Sequence, residues 1–150
     1  MPKIAKLKHW DTRGFHQFLH TAARAAKPFA WGTHDCCTFV ADAVQSVTGV
    51  DIAGDFRGLY HDEAGAFAIV KRLTGGSTVA DAMAYCAARH GLWENKHPLM
   101  TGRGEMVAVR NGGTIIAGIV HLNGRHVVSL SESGPVRLPI RNVIRGWSYE

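Results

Sequence analysis

The residues best suited to chemistry are the thiols, and Cys36 is the first of them. It lies in Trp31-Gly32-Thr33-His34-Asp35-Cys36-Cys37-Thr38-Phe39-Val40, where an apolar helical stripe begins. A helix N-terminus carries unpaired N–H groups and a partial positive charge, and both favour a thiolate. A thiol placed there is a candidate nucleophile. It becomes a catalyst only if a base stands within hydrogen-bond reach of the sulfur. Asp35 reads as the helix cap. Trp31 and Gly32 read as walls of a cleft, and His34 lies two residues before the sulfur. His121 and His126, on a later hairpin, are the other candidate bases, with His126 preferred. Against this, a free cysteine more often serves as a small buried hydrophobe.

Other chemistries fit less well. His34, Cys36, Cys37 and Cys86 would give four soft ligands, but they lack the paired Cys-x-x-Cys spacing of zinc sites. No metal and no cofactor is expected. Leu73-Thr74-Gly75-Gly76-Ser77-Thr78 lacks the lysine of a phosphate loop and separates two helices. His9, His16, His20, His61, His90 and His97 read as helix-surface and loop residues. Cys86 fits its own helix stripe.

The elements that must position Cys36 come in two blocks. In the first half, apolar residues recur at helical spacing. Asp11-Thr12 can cap a helix to about Ala26, with Phe15, Phe18, Leu19, Ala22 and Ala26 on one face. A second runs from Asp35 or Cys36 to Thr48, with Gly49 as its stop. Asp51 to Tyr60 reads as loop. His61-Asp62-Glu63 opens a third helix that ends at Gly75-Gly76. Ser77 or Thr78 caps a fourth, closed by Gly91. The second half changes period. Glu105–Arg110, Thr114–Leu122, Arg125–Leu130, Val136–Leu138 and Ile144–Tyr149 read as strands, and Asn123-Gly124 is a strong hairpin turn. Helices first and an antiparallel meander afterwards predict an α+β fold with the helices on one face of the sheet.

The chain of 150 residues carries a formal charge of +5, with 46% hydrophobic and 19% charged residues. That is one globular domain, 1–150, with residues 1–10 as a basic arm. Lys3, Lys6, Lys8 and Arg13 form the only basic run, which reads as a solvated arm rather than a nucleic-acid surface. Three cysteines do not make a disulfide framework. No signal peptide and no membrane span are expected.

The pattern Trp31-Gly32-x-x-Asp35-Cys36-x-x-Phe39-Val40 resembles the nucleophile motif of the NlpC-type cell-wall endopeptidases. Gly102-Arg103-Gly104-Glu105-Met106-Val107 resembles that family's step into its first core strand. Ala117-Gly118-Ile119-Val120 resembles its next strand, and Asn123-Gly124 its hairpin. The resemblance is closer still to small phage proteins encoded among tail genes, which share the Trp-Gly, Asp-Cys and closing Trp (here Trp147) pattern. It implies a papain-like fold, a place in the virion at the tail tip, assembly in the bacterial host cytoplasm, other tail-tip proteins as partners, and peptidoglycan as a possible substrate.

One departure matters. Two residues before the strand glycine, where the endopeptidases carry their catalytic histidine, this chain has Ile116. The third polar residue would fall near Val128. Two functions therefore follow from the resemblance. In the first, the site is degenerate and the domain serves as a structural or assembly piece of the tail tip. The alternative is an active peptidoglycan endopeptidase or amidase that uses Cys36 during cell-wall penetration. Ile116 favours the structural role.

Overall fold

The computed structural model describes residues 4–24 and 27–149. Helices α1 (Phe15–Arg24), α2 (Cys36–Thr48), α3 (Glu63–Thr74) and α4 (Val79–His90) come first. Strands β1 (Trp93–Glu94), β2 (Met106–Asn111), β3 (Thr114–Val120), β4 (His126–Ser131), β5 (Gly134–Pro139) and β6 (Val143–Ser148) follow. The fold is α+β, as the sequence predicts. The strands form one antiparallel sheet in the order β1-β6-β2-β3-β4-β5.

Three helices start and stop where local chemistry dictates. Asp35, Asp62 and Thr78 accept backbone N–H bonds as N-caps, and Gly49, Gly75 and Gly91 end α2, α3 and α4 in the left-handed conformation. The first helix differs from expectation. Asp11-Thr12 does not cap it. Instead a five-residue π-turn, Trp10–Gly14, leads into Phe15. Its last residue packs against α2 so closely that a Cβ on Gly14 would lie 2.1 Å from the Ser46 carbonyl oxygen. That approach to α2 sets the path into α1, and it is absent from local sequence. The expected end at Ala26 lies outside the described residues.

The sheet has two apolar faces. Met106, Ala108, Ala117, Ile119, Leu130 and Trp147 pack under the helices. Val107, Val109, Val120, Val127 and Val143 form a smaller cluster on the other face, under Leu138 and Ile140. Alternation along β2 and β3 sorts the two sets. Two features escaped the sequence. The last strand, β6, returns to pair with β2 rather than extending the meander, and β1, only two residues long, pairs with β6. Among the described residues no helix is long and apolar enough to cross a membrane.

Candidate functional site

Cys36 is the first residue of α2, and the turn before it is built around Asp35. The Asp35 carboxylate is 1% exposed. Its Oδ1 accepts from Thr38 N–H at 2.9 Å, and its Oδ2 accepts from Gly32 N–H at 2.9 Å and from the Tyr60 hydroxyl at 2.6 Å. Thr38 Oγ1 returns the favour by accepting from Asp35 N–H at 2.8 Å. This is a closed capping box with two additional donors. Both oxygens of the carboxylate have buried partners, which offsets the cost of its burial. Asp35 is a positioning residue: it fixes the helix start on which Cys36 sits.

Tyr60 comes from the loop that follows α2, and no local pattern marks its role. Arg57 ties that loop down, with Nη2 2.7 Å from Asp42 on α2 and Nε 3.0 Å from Asp51. Gly58 N–H donates to the Gly32 carbonyl at 3.0 Å. Burial and the nearby anions push the Tyr60 phenol well above the usual tyrosine range. It therefore stays protonated and acts only as a donor to Asp35.

Cys36 is buried at the start of α2, beside Cys37. Its thiol is shifted below the ordinary value, chiefly by a hydrogen bond from the Cys37 thiol, while burial opposes this and the Ala117 and Cys37 backbone N–H groups assist. Cys37 moves the other way. The bond it gives to Cys36 holds its proton in place, and burial adds to this. Of the two adjacent thiols, Cys36 is therefore the more acidic. Cys86, on α4, is pushed up to about 12, mainly by burial. All three cysteines are free thiols. This order predicts an alkylation experiment. Limiting iodoacetamide at neutral pH should modify Cys36 first, because its thiol is the one shifted downward. Peptide mass spectrometry reads the order, and modification of Cys37 or Cys86 ahead of Cys36 would contradict it.

All three thiols line one cavity of about 450 Å³, which α2, α3 and α4 form with the ends of β3 and β4. Trp31 and Phe29 stand at its wall, edge to face with ring centroids 4.9 Å apart. Trp31 and Asp35 are on its lining. Gly32 is not; it joins the turn through its N–H bond to Asp35. His34 does not line it; its backbone bridges to Ala30.

Among the described residues no histidine lines this cavity. The two sheet histidines stand elsewhere, and the reason is position along the hairpin. Cys36 meets Ala117, and the cavity uses Ile115 to Ala117 and Leu130 to Ser133, at the open end of the β3–β4 pair. His121 and His126 lie at the turn end, where His121 N–H donates to the His126 carbonyl at 2.8 Å. His121 lies four positions beyond Ala117, about 13 Å along the chain. Alternation places His121 on the helix-facing side with Ala117 and Ile119, so distance along the strand, not the face, removes it from Cys36. It occupies a separate cleft with Leu19 and Phe39. There its Nδ1 accepts from Asn123 N–H at 3.1 Å, and burial and Arg137 lower its pKa. His126 bonds the Asn123 side chain through Nδ1 at 2.9 Å. Both histidines serve the Asn123-Gly124 turn, and the structure does not join either to Cys36 as a base.

Ile116 contributes to the cavity lining but also packs on the opposite face, opposite Val109 in the register. The strand residue that meets the sulfur is Ala117, through its backbone N–H. Its carbonyl accepts from the buried Ser129 hydroxyl. The regular β3–β4 pairing covers only Ile119 with Val128 and Val120 with Val127, which leaves Ala117 free to face α2. Val128, where a third polar residue would fall, packs against the helix-side core. Nothing on this strand can carry a proton for Cys36. The arrangement can stabilise a thiolate and enclose an apolar group, but it holds no imidazole to relay a proton.

A family model described as Domain of unknown function (DUF6950) matches residues 5–149. The chain belongs to this family. The DUF6950 match spans both the helical half and the sheet, including Cys36 and its turn. No curated protein and no solved structure matches the chain. Among the described residues no group of three His, Cys, Asp or Glu side chains is arranged to hold a metal ion.

Proposed function

We propose that this DUF6950 chain is a phage tail-tip component with an NlpC-type, papain-like fold whose hydrolytic site is degenerate, and that it serves a structural or assembly role. One observation carries the reading. The cavity around Cys36 is lined by Thr114, Ile115, Ile116 and Ala117 of β3 and by no histidine among the described residues. A cysteine peptidase moves the thiol proton to an imidazole and returns it to the leaving amine. Here Cys37 holds the proton, and a thiol raised so far is a poor acid for an amine. The Trp31-Gly32-x-x-Asp35-Cys36 motif then persists because Asp35, Gly32 and Tyr60 form the joint between α2 and the loop after it. The structural role predicts that particles assembled with Cys36→Ala keep their infectious titre, while particles lacking the chain do not assemble. A titre that collapses with Cys36→Ala in particles of normal composition would oppose it.

A second reading has one observation in its favour. The Cys36 thiol is lowered and faces backbone N–H groups at a helix start. That is the environment of a nucleophile with an oxyanion site beside it. On this reading the chain is a peptidoglycan endopeptidase or amidase whose base is not a histidine of β3 or β4. Soluble peptides released from cell wall by the parent chain and not by Cys36→Ala would support it.

A further inference from the structure

The Cys36 cavity has a property that neither the structural role nor hydrolysis uses. Its volume of about 450 Å³ falls in the range of roughly 300–1,000 Å³ found for small-molecule sites. Its body is apolar, with Phe56, Val70, Met83, Ile115 and Leu130 among its walls. Its charged groups are all of one sign. Asp35 is spent on three donors inside the protein. That leaves Glu63, at the start of α3, and Glu132, in the β4–β5 turn, both exposed and both on the lining. Among the described residues no lysine, arginine or histidine lines the cavity, in a chain whose formal charge is +5.

We infer that this cavity is a binding site for a small amphiphile with an apolar body and a cationic end, an alkylammonium in its simplest form. The apolar body displaces water from the walls between α3, α4 and β3, and the ammonium stays at the mouth between Glu63 and Glu132. Removal of apolar surface from water supplies most of the affinity. The two carboxylates supply selectivity by sign, since exposed pairs contribute little each and repel an anion by a similar amount. The inference needs only the cavity and its rim, and it stands whether or not Cys36 is a nucleophile.

Calorimetry with decylammonium, decanol and decanoate, each below its aggregation limit at neutral pH and low salt, tests it. Decylammonium should bind tightest, decanol about threefold to tenfold weaker, and decanoate weaker again. The Glu63→Gln/Glu132→Gln double variant changes two exposed side chains only. It should bring decylammonium down to the decanol affinity and leave decanol unchanged. Raising the salt should do the same to the parent chain. Ala66→Trp, which fills the cavity from α3, should abolish binding of all three while the circular dichroism spectrum is retained. Decanoate binding as tightly as decylammonium, decylammonium failing to bind the parent chain, or an unchanged affinity in the double variant would each overturn the inference.

Discussion

Asp35→Ala should lower the melting temperature by about 10 °C or more. The carboxylate receives Gly32 N–H, Thr38 N–H and the Tyr60 hydroxyl, all in the interior. Alanine leaves three buried donors without an acceptor, at about 1–3 kcal/mol each before relaxation. It also removes the N-cap of α2, a loss of about 1 kcal/mol that overlaps with the Thr38 share. A net cost near 4 kcal/mol is expected, and in a domain of this size each kcal/mol shifts the midpoint by about 2–4 °C. Asp35→Asn should cost about half as much. Its carbonyl oxygen can still accept from Thr38, and the Tyr60 hydroxyl can turn to accept from the amide, which leaves Gly32 N–H as the unpaired group. Thermal melts of the three proteins measure this. Equal midpoints for parent and Asp35→Ala would contradict the role assigned to the carboxylate.

Gly32→Ala acts on the other side of the same joint. Gly32 has φ +86°, and a Cβ there would lie 2.1 Å from the Tyr60 carbonyl oxygen. The left-handed conformation costs alanine about 1–2 kcal/mol, and the forced separation of two backbones adds about 1–3 kcal/mol. A loss of about 3 kcal/mol or more is expected, read as a lower urea midpoint with an unchanged slope. Gly54→Ala is the control. It has no atom within 4 Å of its ideal Cβ and no positive φ, so it should be neutral or slightly stabilising. If Gly32→Ala and Gly54→Ala unfold together, the close approach of Gly32 and Tyr60 is not what holds this loop.

These two residues also mark how far the sequence can be read. Asp35 was visible as a cap because capping is local: the acceptor, the helix start and the apolar stripe lie within a few residues. The ends of α2, α3 and α4 were legible for the same reason, through Gly49, Gly75 and Gly91. Tyr60 was not, because its bond to Asp35 spans 25 residues and nothing in the loop marks it. Ala117 was not, because a backbone N–H has no signature. The histidines show a different limit. Period-2 alternation assigns a side chain to a face, and it puts His121 on the face opposite Ile116. It does not say which end of a hairpin meets the first turn of α2. That is decided by packing of α2 on β3, and it puts the cavity at the open end and both histidines at the turn. The strand order has the same character: β6 pairs with β2 through a long-range register that no local pattern encodes.

The site that results joins two tendencies that usually oppose each other. Cys36 is held as the more acidic of two thiols by donors from α2 and β3, which favours reactivity. The same packing lines its cavity with Ala117, Ile115 and Met83, and among the described residues no histidine stands there.

The release of soluble peptides from purified peptidoglycan, followed by mass spectrometry for the parent chain and for Cys36→Ala, tests this most directly. Neither protein should release peptides at any pH where both are folded. Release by the parent chain that disappears in Cys36→Ala would contradict it.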